Sequence, residues 1–270
     1  MKNQKLSILA LLMLSLTWLS SCDANGDIVL FSIQNDKDLG AQVAVEIASD
    51  TSFNILSPVE YSEAYDYLND MKNNILNSGN VTYKDEFAWE LHIIDDDVLN
   101  AFATPGGYMY VYTGLIKYLE TADDLAGVIG HEIAHADKRH SSKQLQRNQG
   151  IQALLAIALG NDPSQLTQVV GQIAGTGAVL KFGRDAEAEA DDFSVVYLSG
   201  TNYACNGAAS FFQKLLDEGQ AGGTPAFLST HPSPDNRVED INAKADSEGC
   251  STTAIQETGF TYQDFQNSLP

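Results

Sequence analysis

The sequence predicts an α+β fold that is mostly helical and contains one small sheet. Apolar residues recur at helical spacing through most of the chain after residue 36. The stretch from Phe102 to Tyr112 instead alternates aromatic residues around a Pro-Gly-Gly turn, which favours strands. The 270 residues are 44% hydrophobic and show neither internal repeats nor low-complexity tracts. One sizeable domain is therefore expected.

The domain is expected to span residues 37–250, between a tether (23–36) and a C-terminal tail (251–270). Helices are expected at residues 37–49, 60–77, 121–146, 150–160, 163–180, 184–199, 206–218 and 234–246. Strands are expected at residues 87–95, 98–103 and 108–113. The apolar segment Ile151 to Leu159 is short for a membrane span, so it is predicted to be a core helix.

The strongest chemical signal is the segment His131-Glu132-Ile133-Ala134-His135, which has the HExxH arrangement of zinc hydrolases. Thr121 followed by Asp124 predicts a capped helix start, so both imidazoles should project from one helix face. Two histidines at this spacing can hold one Zn²⁺ at about 2.0 to 2.1 Å per nitrogen. Glu132 then reaches the reacting water and not the metal. The sequence therefore predicts one zinc ion per chain.

A third ligand is expected from the acidic segment 183–191, which opens another predicted helix. Glu187 and Asp191 are i,i+4 neighbours on one side of its apolar stripe, and Glu189 flanks the opposite side. One carboxylate could bind zinc while another orients a ligand. Helix geometry alone does not choose between Glu187 and Glu189. Carboxylates at this density also fit a solvated acidic face.

His140 is not expected to be a metal ligand. The metzincin pattern needs Gly and His where Lys138 and Ser141 stand. At 100° per residue, His140 also lies about 140° around the helix from His135. It is predicted to be a surface or helix-end histidine.

Together these segments resemble a family of gluzincin metallopeptidases that includes the CAAX prenyl protease, the HtpX heat-shock protease, BepA and LoiP. The most specific shared feature is HExxH followed by ExxxD, here Glu187 to Asp191. The resemblance covers residues 36–245. Long transmembrane helices and a following helical repeat domain are not expected, so the architecture is closest to short LoiP-like lipoproteins. Other similar segments are Asp38-Leu39-Gly40, residues 100–113 and residues 230–237.

The resemblance implies a zincin-type domain with its small sheet beside the HExxH helix. It makes Glu187 the third zinc ligand, Glu132 the general base and Asp191 a residue that orients a ligand. It also places His231 and Arg237 near the site, where either could stabilise the oxyanion. His231 could instead close the open position on the metal in the resting enzyme.

The function implied by the resemblance is that of a zinc metalloendopeptidase in protein quality control. Its substrates would be unfolded or misassembled envelope proteins, paired through their backbone with the edge of the sheet. The alternative is a zinc-binding assembly factor or chaperone-like lipoprotein with little proteolysis. A damaged motif would indicate that alternative, and Glu132 is intact. A third reading is a structural lipoprotein with an incidental HExxH.

The N-terminus predicts export to a bacterial cell envelope. Lys2 and Lys5 precede the apolar run Leu6 to Leu19, which suits a signal peptide and is short for a membrane span. Residues 19–22 resemble a lipobox, whose cleavage would leave Cys22 as the lipidated first residue. An ordinary signal peptide cleaved nearby is the alternative. We expect the protein to be located on the periplasmic side of the outer membrane. In some bacteria, however, an Asp directly after the lipidated Cys, here Asp23, retains a lipoprotein at the inner membrane.

The remaining cysteines and the net charge narrow the partners. Cys205 and Cys250 can form a disulfide in an oxidising compartment, or remain two free thiols. The formal net charge of −21 argues against nucleic acid and against electrostatic docking on anionic lipid. Membrane attachment would therefore depend on the lipid at Cys22. The expected partners are unfolded or misassembled envelope proteins.

Overall fold

The computed structural model describes residues 21–22, 28–29, 31–176, 180–218, 226–232 and 236–270. Most of the expected signal peptide, with parts of the lipobox and tether, therefore lies outside the described residues. The helices are α1 (Ile33–Ser49), α2 (Ser62–Leu76), α3 (Thr113–Tyr118), α4 (Ala122–Asp137), α5 (His140–Gln149), α6 (Ile151–Ala158), α7 (Pro163–Thr176), α8 (Arg184–Leu198), α9 (Gly207–Asp217), α10 (Ala226–Thr230), α11 (Arg237–Glu248) and α12 (Tyr262–Asn267). The strands are β1 (Ser21–Cys22), β2 (Ile28–Val29), β3 (Glu90–Ile94), β4 (Ala101–Thr104) and β5 (Tyr108–Tyr112). The predicted α+β class, mostly helical with a small sheet, is confirmed.

A three-stranded sheet with the order β3-β5-β4 forms the centre of the domain. β3 runs parallel to β5, and β4 pairs antiparallel to β5, with Ala101 opposite Val111. Side chains on the two faces alternate along each strand. Val111 points into the core shared with α2, α4 and α9, whereas Phe102 and Tyr110 face a second core that includes α1, α6 and α7. Helices therefore cover both faces, and β4 contacts α4.

Two helix boundaries differ from the sequence prediction because the backbone turns left-handed. The helix expected over 121–146 is divided into α4 and α5 at Arg139, which has φ 60°. The helix expected over 234–246 begins only at Arg237, after Asn236 with φ 65°. Residues 233–235, which include the expected start of this helix, lie outside the described residues. Three short helices, α3, α10 and α12, were not predicted, because five or six residues carry too little periodicity.

The end of the chain packs onto the domain. Thr261 and Asp264 form a capping box at the start of α12, and Phe265 is fully buried and stacked on Tyr67 at 4.8 Å between ring centroids. Cys205 and Cys250 are joined by a disulfide, with Cα atoms 6.2 Å apart, which confirms the predicted pair. α6 is a core helix as predicted. Within the described ranges, no helix is both long and apolar enough to cross a membrane.

Candidate metal centre

Helix α4 places three of the predicted site residues in the interior. Thr121 accepts a hydrogen bond from the backbone N–H of Asp124, whose carboxylate accepts one from the backbone N–H of Thr121. Every residue of α4 is buried, because the helix packs against β4, α8 and α9. His131, Glu132 and His135 are each at most 1% exposed. The predicted capped helix is therefore present. Burying its polar side chains costs free energy, which interactions with neighbouring residues must offset.

Helix α8 packs against α4 and brings a carboxylate to both histidines. Glu187 is fully buried, with Oε2 3.4 Å from His131 Nε2 and Oε1 3.5 Å from His135 Nε2. Glu189 points elsewhere and lies 3.1 Å from His140. The structure therefore separates the two glutamates that helix geometry alone could not, and it places only Glu187 in the cluster.

His231 joins the cluster from a distant part of the chain. It follows α10 and is fully buried, with Nδ1 3.2 Å from Glu187 Oε1 and 3.4 Å from His131 Nε2. Phe227 stacks on its ring at 4.3 Å between centroids. One donor atom from each of His131, His135, Glu187 and His231 lies within 4.8 Å of the other three.

The spacing of these donors fits a divalent metal ion. Ligands at about 2.0 to 2.1 Å around a tetrahedral metal are about 3.3 Å from one another. Neighbouring donors are separated by 2.9 Å, between the Nε2 atoms of His131 and His135, to 3.5 Å, between His135 and Glu187, and all four lie within 4.8 Å of one another. Burying a carboxylate among three imidazoles is costly, and a cation at their centre would compensate for it. The donor set and its spacing therefore agree.

A second carboxylate supports the first histidine from behind. Asp191 Oδ1 lies 2.9 Å from Nδ1 of His131, the ring nitrogen that faces away from the cluster. Arg237 contacts both carboxylate oxygens of Asp191, with Nε 2.6 Å from Oδ2 and Nη2 2.7 Å from Oδ1. Its Nη2 is also 3.2 Å from Glu187 Oε2. The guanidinium also lies over the ring of Phe212 at 3.6 Å. Arg237 thus contacts the acidic side of the cluster.

Glu132 lies beside the cluster and is not one of its donors. Its Oε1 is 3.5 Å from His231 Nε2, and neither carboxylate oxygen has a hydrogen-bond partner among the residues described. Burial raises the pKa of Glu132 above its usual range, because the charged form is desolvated. A carboxyl with a raised pKa is better matched to taking up and releasing a proton during a reaction.

The other titratable groups divide by their neighbours. Burial, and then the charge of His131, hold the pKa of His135 well below its usual range, so His135 is neutral and offers a lone pair. Burial also disfavours charge on His131, but hydrogen bonds to Asp191 and Glu187 outweigh it and raise its pKa to about 9. Burial disfavours the Glu187 carboxylate, and the surrounding imidazoles, His231 foremost, still hold its pKa well below its usual range. A metal would replace the proton on His131.

His140 begins α5, as a helix-end histidine, but the expectation of a surface position is wrong. It is buried, with Nδ1 2.9 Å from His135 Nδ1 and Nε2 3.1 Å from Glu189 Oε2. Extrapolating 100° per residue failed because Arg139 leaves the helical conformation, and His140 then lies against His135. Phe182 stacks on His135 at 3.9 Å between centroids. The sequence analysis missed the contacts that His135 makes with His140 and with Phe182, and no residue spacing in the sequence indicates them.

Two histidines and a glutamate that are buried together on helices α4 and α8, with Glu132 beside them, are an arrangement typical of metallopeptidase domains. The profile of peptidase family M48 matches residues 64–245. The chain therefore belongs to peptidase family M48, a family of zinc metallopeptidases, and the resemblance drawn from its motifs is confirmed.

Curated relatives come from mitochondria and from bacteria. The chain is 32% identical over 161 residues to the mitochondrial metalloendopeptidase OMA1 of Schizosaccharomyces pombe, covering 58% of this chain and 46% of that protein. It is 32% identical over 163 residues to a putative beta-barrel assembly-enhancing protease of Vibrio cholerae, covering 57% and 34%. The beta-barrel assembly-enhancing protease of Escherichia coli is 28% identical with the same coverage. The chain thus spans less than half the length of these relatives.

Proposed function

We propose that this protein is a zinc-dependent metalloendopeptidase in which His131, His135 and Glu187 hold the metal and Glu132 is the general base. The observation that carries the proposal is the convergence of three buried donors beside a buried, unpartnered glutamate. Zinc held there would act as a Lewis acid that lowers the pKa of a water molecule and polarises the scissile carbonyl.

Proton transfer is assigned to Glu132. Its carboxylate takes a proton from the attacking water and later delivers a proton to the departing amine, so hydrolysis needs no covalent acyl-enzyme. Asp191 fixes the orientation of His131 by accepting from its Nδ1–H. The two contacts from Arg237 to Asp191 favour a positioning role for Arg237 over the oxyanion role implied by the resemblance.

His231 is proposed to close the resting site. Its Nδ1 lies at the fourth corner of the donor cluster, the position that a hydrolytic zinc must leave open. Glu132 is 1% exposed, so a substrate can reach it only if neighbouring residues move. Displacement of His231 would open both the metal position and the space beside Glu132. The displaced imidazole is then a candidate oxyanion donor.

The segment that carries His231 also obstructs the start of the edge strand. β4 lies at one edge of the sheet and contacts α4. The backbone N–H of Phe227 donates to the carbonyl of Leu99, just before β4, at 2.9 Å. An extended peptide that added to this edge would meet α10. One movement of residues 226–231 would therefore admit a substrate to the edge and to the metal.

The proposed substrates are unfolded or misassembled envelope proteins, with the enzyme anchored through lipid on Cys22 at the periplasmic side of the outer membrane. Three observations support this: the names of the bacterial relatives, the lipobox-like residues 19–22, and a disulfide that suits an oxidising compartment. A zinc-binding assembly factor with little proteolysis is the competing function. The intact, buried Glu132 favours the enzyme.

The test is hydrolysis of a reduced and alkylated, unfolded protein by the full chain purified in mild detergent. We expect the zinc-loaded protein to cleave it, a chelator to stop cleavage, and added zinc to restore it. Stoichiometric zinc without cleavage, even for the His231→Ala variant, would support the assembly factor. Absence of bound metal would reject both functions.

A further inference from the structure

Behind the proposed ligand His135, two hydrogen bonds connect its ring through His140 to the carboxylate of Glu189 on α8. We call this pair of hydrogen bonds the relay. Nδ1 of His135 faces Nδ1 of His140 at 2.9 Å, and Nε2 of His140 faces Oε2 of Glu189 at 3.1 Å. His140 is 3% exposed, and the side chain of Glu189 is 17% exposed. The mechanism proposed above uses neither residue.

The atoms able to donate determine which ring nitrogens of His135 and His140 carry a hydrogen. An ionised Glu189 only accepts, so Nε2 of His140 must carry a hydrogen. In a neutral His140 the other nitrogen, Nδ1, is then an acceptor. His135 must therefore donate from Nδ1, and its Nε2 keeps a free lone pair. That Nε2 is the atom that faces the Nε2 of His131 and Glu187 in the cluster.

The two zinc-binding histidines of α4 are thus supported in different ways. His131 donates directly to the carboxylate of Asp191, whereas His135 reaches the carboxylate of Glu189 through the imidazole of His140. Hydrogen bonds of this kind fix the tautomer and ring orientation of metal-binding histidines.

The backbone after α4 makes the relay geometrically feasible. Arg139 takes the left-handed conformation, and its Nε donates to the buried carboxylate of Asp36 at 2.5 Å. This turn places His140 against His135 instead of continuing the helix. Phe182 stacks on His135 with an interplanar angle of 16°. The His135 ring is therefore packed by Phe182 and hydrogen-bonded by His140.

We propose that His140 and Glu189 are positioning residues that hold His135 in the tautomer and orientation required for zinc binding. This inference rests on the proposed function, because it assigns His135 to the metal. It predicts that the relay contributes to zinc affinity although neither residue touches the metal.

The experiment measures zinc affinity by competition with a chelator in the full chain and its variants. We expect His140→Ala to weaken zinc binding by about 10- to 100-fold, within the range of supporting-residue changes. His140→Gln should recover part of the loss, because its amide oxygen can accept from His135. Glu189→Gln should lose less zinc affinity than Glu189→Ala, because its amide oxygen can still accept from Nε2–H of His140. His92→Gln and Asp192→Ala, which change a histidine and a carboxylate outside the relay, should match the parent.

A second readout follows the tautomers by ¹⁵N chemical shifts of labelled histidines. The parent should show His135 protonated at Nδ1 and His140 protonated at Nε2, and His140→Ala should lose the fixed His135 tautomer. A folded His140→Ala protein with parental zinc affinity would overturn the relay while leaving the metallopeptidase proposal intact. A parent that binds no zinc would reject both. Opposite tautomers in the parent would contradict the proton assignment.

Discussion

Two regions of the molecule contribute to the cluster, and they differ in the length of the helices that support the donor residues. His131, His135 and Glu187 come from long helices, α4 and α8, that pack against each other. His231 follows a five-residue helix, α10, fixed by a few backbone contacts and by the buried ring of Phe227. A permanent metal site needs the first kind of support. The displacement proposed for His231 before catalysis fits the second kind of support.

The contrast implies a division of labour that mutation can test. We call the residues on α4 and α8 the α4 and α8 half of the site, and residues 226–231 the α10 half. Substitutions in the α4 and α8 half should abolish metal binding or catalysis, because no other residues can supply the same ligand geometry. Changes in the α10 half should alter access while the three-ligand site survives.

The largest effect is expected for Glu132→Gln. The amide can neither accept nor deliver the proton, so turnover of an unfolded substrate should fall by about 10² to 10⁴-fold with zinc still bound. Turnover and metal content should be measured on the same preparation, with the exposed Glu63→Gln as the matched control. Near-parental turnover would remove Glu132 from the mechanism.

The next largest effect separates Glu187 from Glu189. Glu187→Ala removes a proposed ligand and leaves three buried imidazoles without their carboxylate, so the purified protein should contain little zinc. Glu189→Ala should bind zinc at one ion per chain with only weakened affinity. Metal analysis of both variants is the measurement, and the reverse ranking would transfer the ligand role to Glu189.

Asp191→Asn should have an intermediate effect within the same half. The substitution removes the charge that faces His131 and leaves Arg237 with a weaker partner. We expect zinc affinity to fall by about 10- to 100-fold with the fold retained. Chelator competition and circular dichroism would measure the two quantities. Unchanged affinity would mean that His131 is held by packing alone.

In the α10 half, His231→Ala should raise cleavage of the unfolded substrate severalfold. The reason is that the fourth metal position opens, and three ligands remain to retain the zinc. The measurement is steady-state turnover at equal concentrations of zinc-bound protein. Lower turnover with zinc retained would show that oxyanion stabilisation dominates over closure. Unchanged turnover would reject both roles.

The smallest effect on catalysis is expected when Cys205 and Cys250 are both replaced by Ser. The disulfide links the loop before α9 to the end of α11, the helix that carries Arg237. Its loss should lower the free energy of unfolding by about 4 kcal/mol in the chain-entropy model while turnover changes little. Denaturant unfolding and kcat measure these separately. A large fall in kcat in the folded variant would show that Arg237 depends on this link.

The difference between the two regions also explains what the sequence could predict. The α4 motif is local: its cap, its apolar spacing and its two histidines lie within one helix, so sequence alone specified their common face. On α8, helix spacing identified only an acidic segment, and the ExxxD resemblance selected Glu187 within it. The physical reason for that choice is how α8 packs against α4, which a single helix does not encode.

Other parts of the site were beyond the sequence for physical reasons. His140 was misplaced because one residue, Arg139, takes a left-handed conformation that ends α4. The bidentate contact between Arg237 and Asp191 joins residues from α11 and α8, and long-range pairs leave no periodic signal. The expected domain boundaries and lipid anchor stay predictions.

The most direct test of the central claim is anomalous diffraction at the zinc edge from crystals of the full chain grown with zinc. We predict one peak about 2.0 to 2.1 Å from His131 Nε2, from His135 Nε2 and from a Glu187 carboxylate oxygen, with His231 Nδ1 at the fourth position. A peak bound elsewhere, or none among these residues in a zinc-saturated protein, would contradict the account.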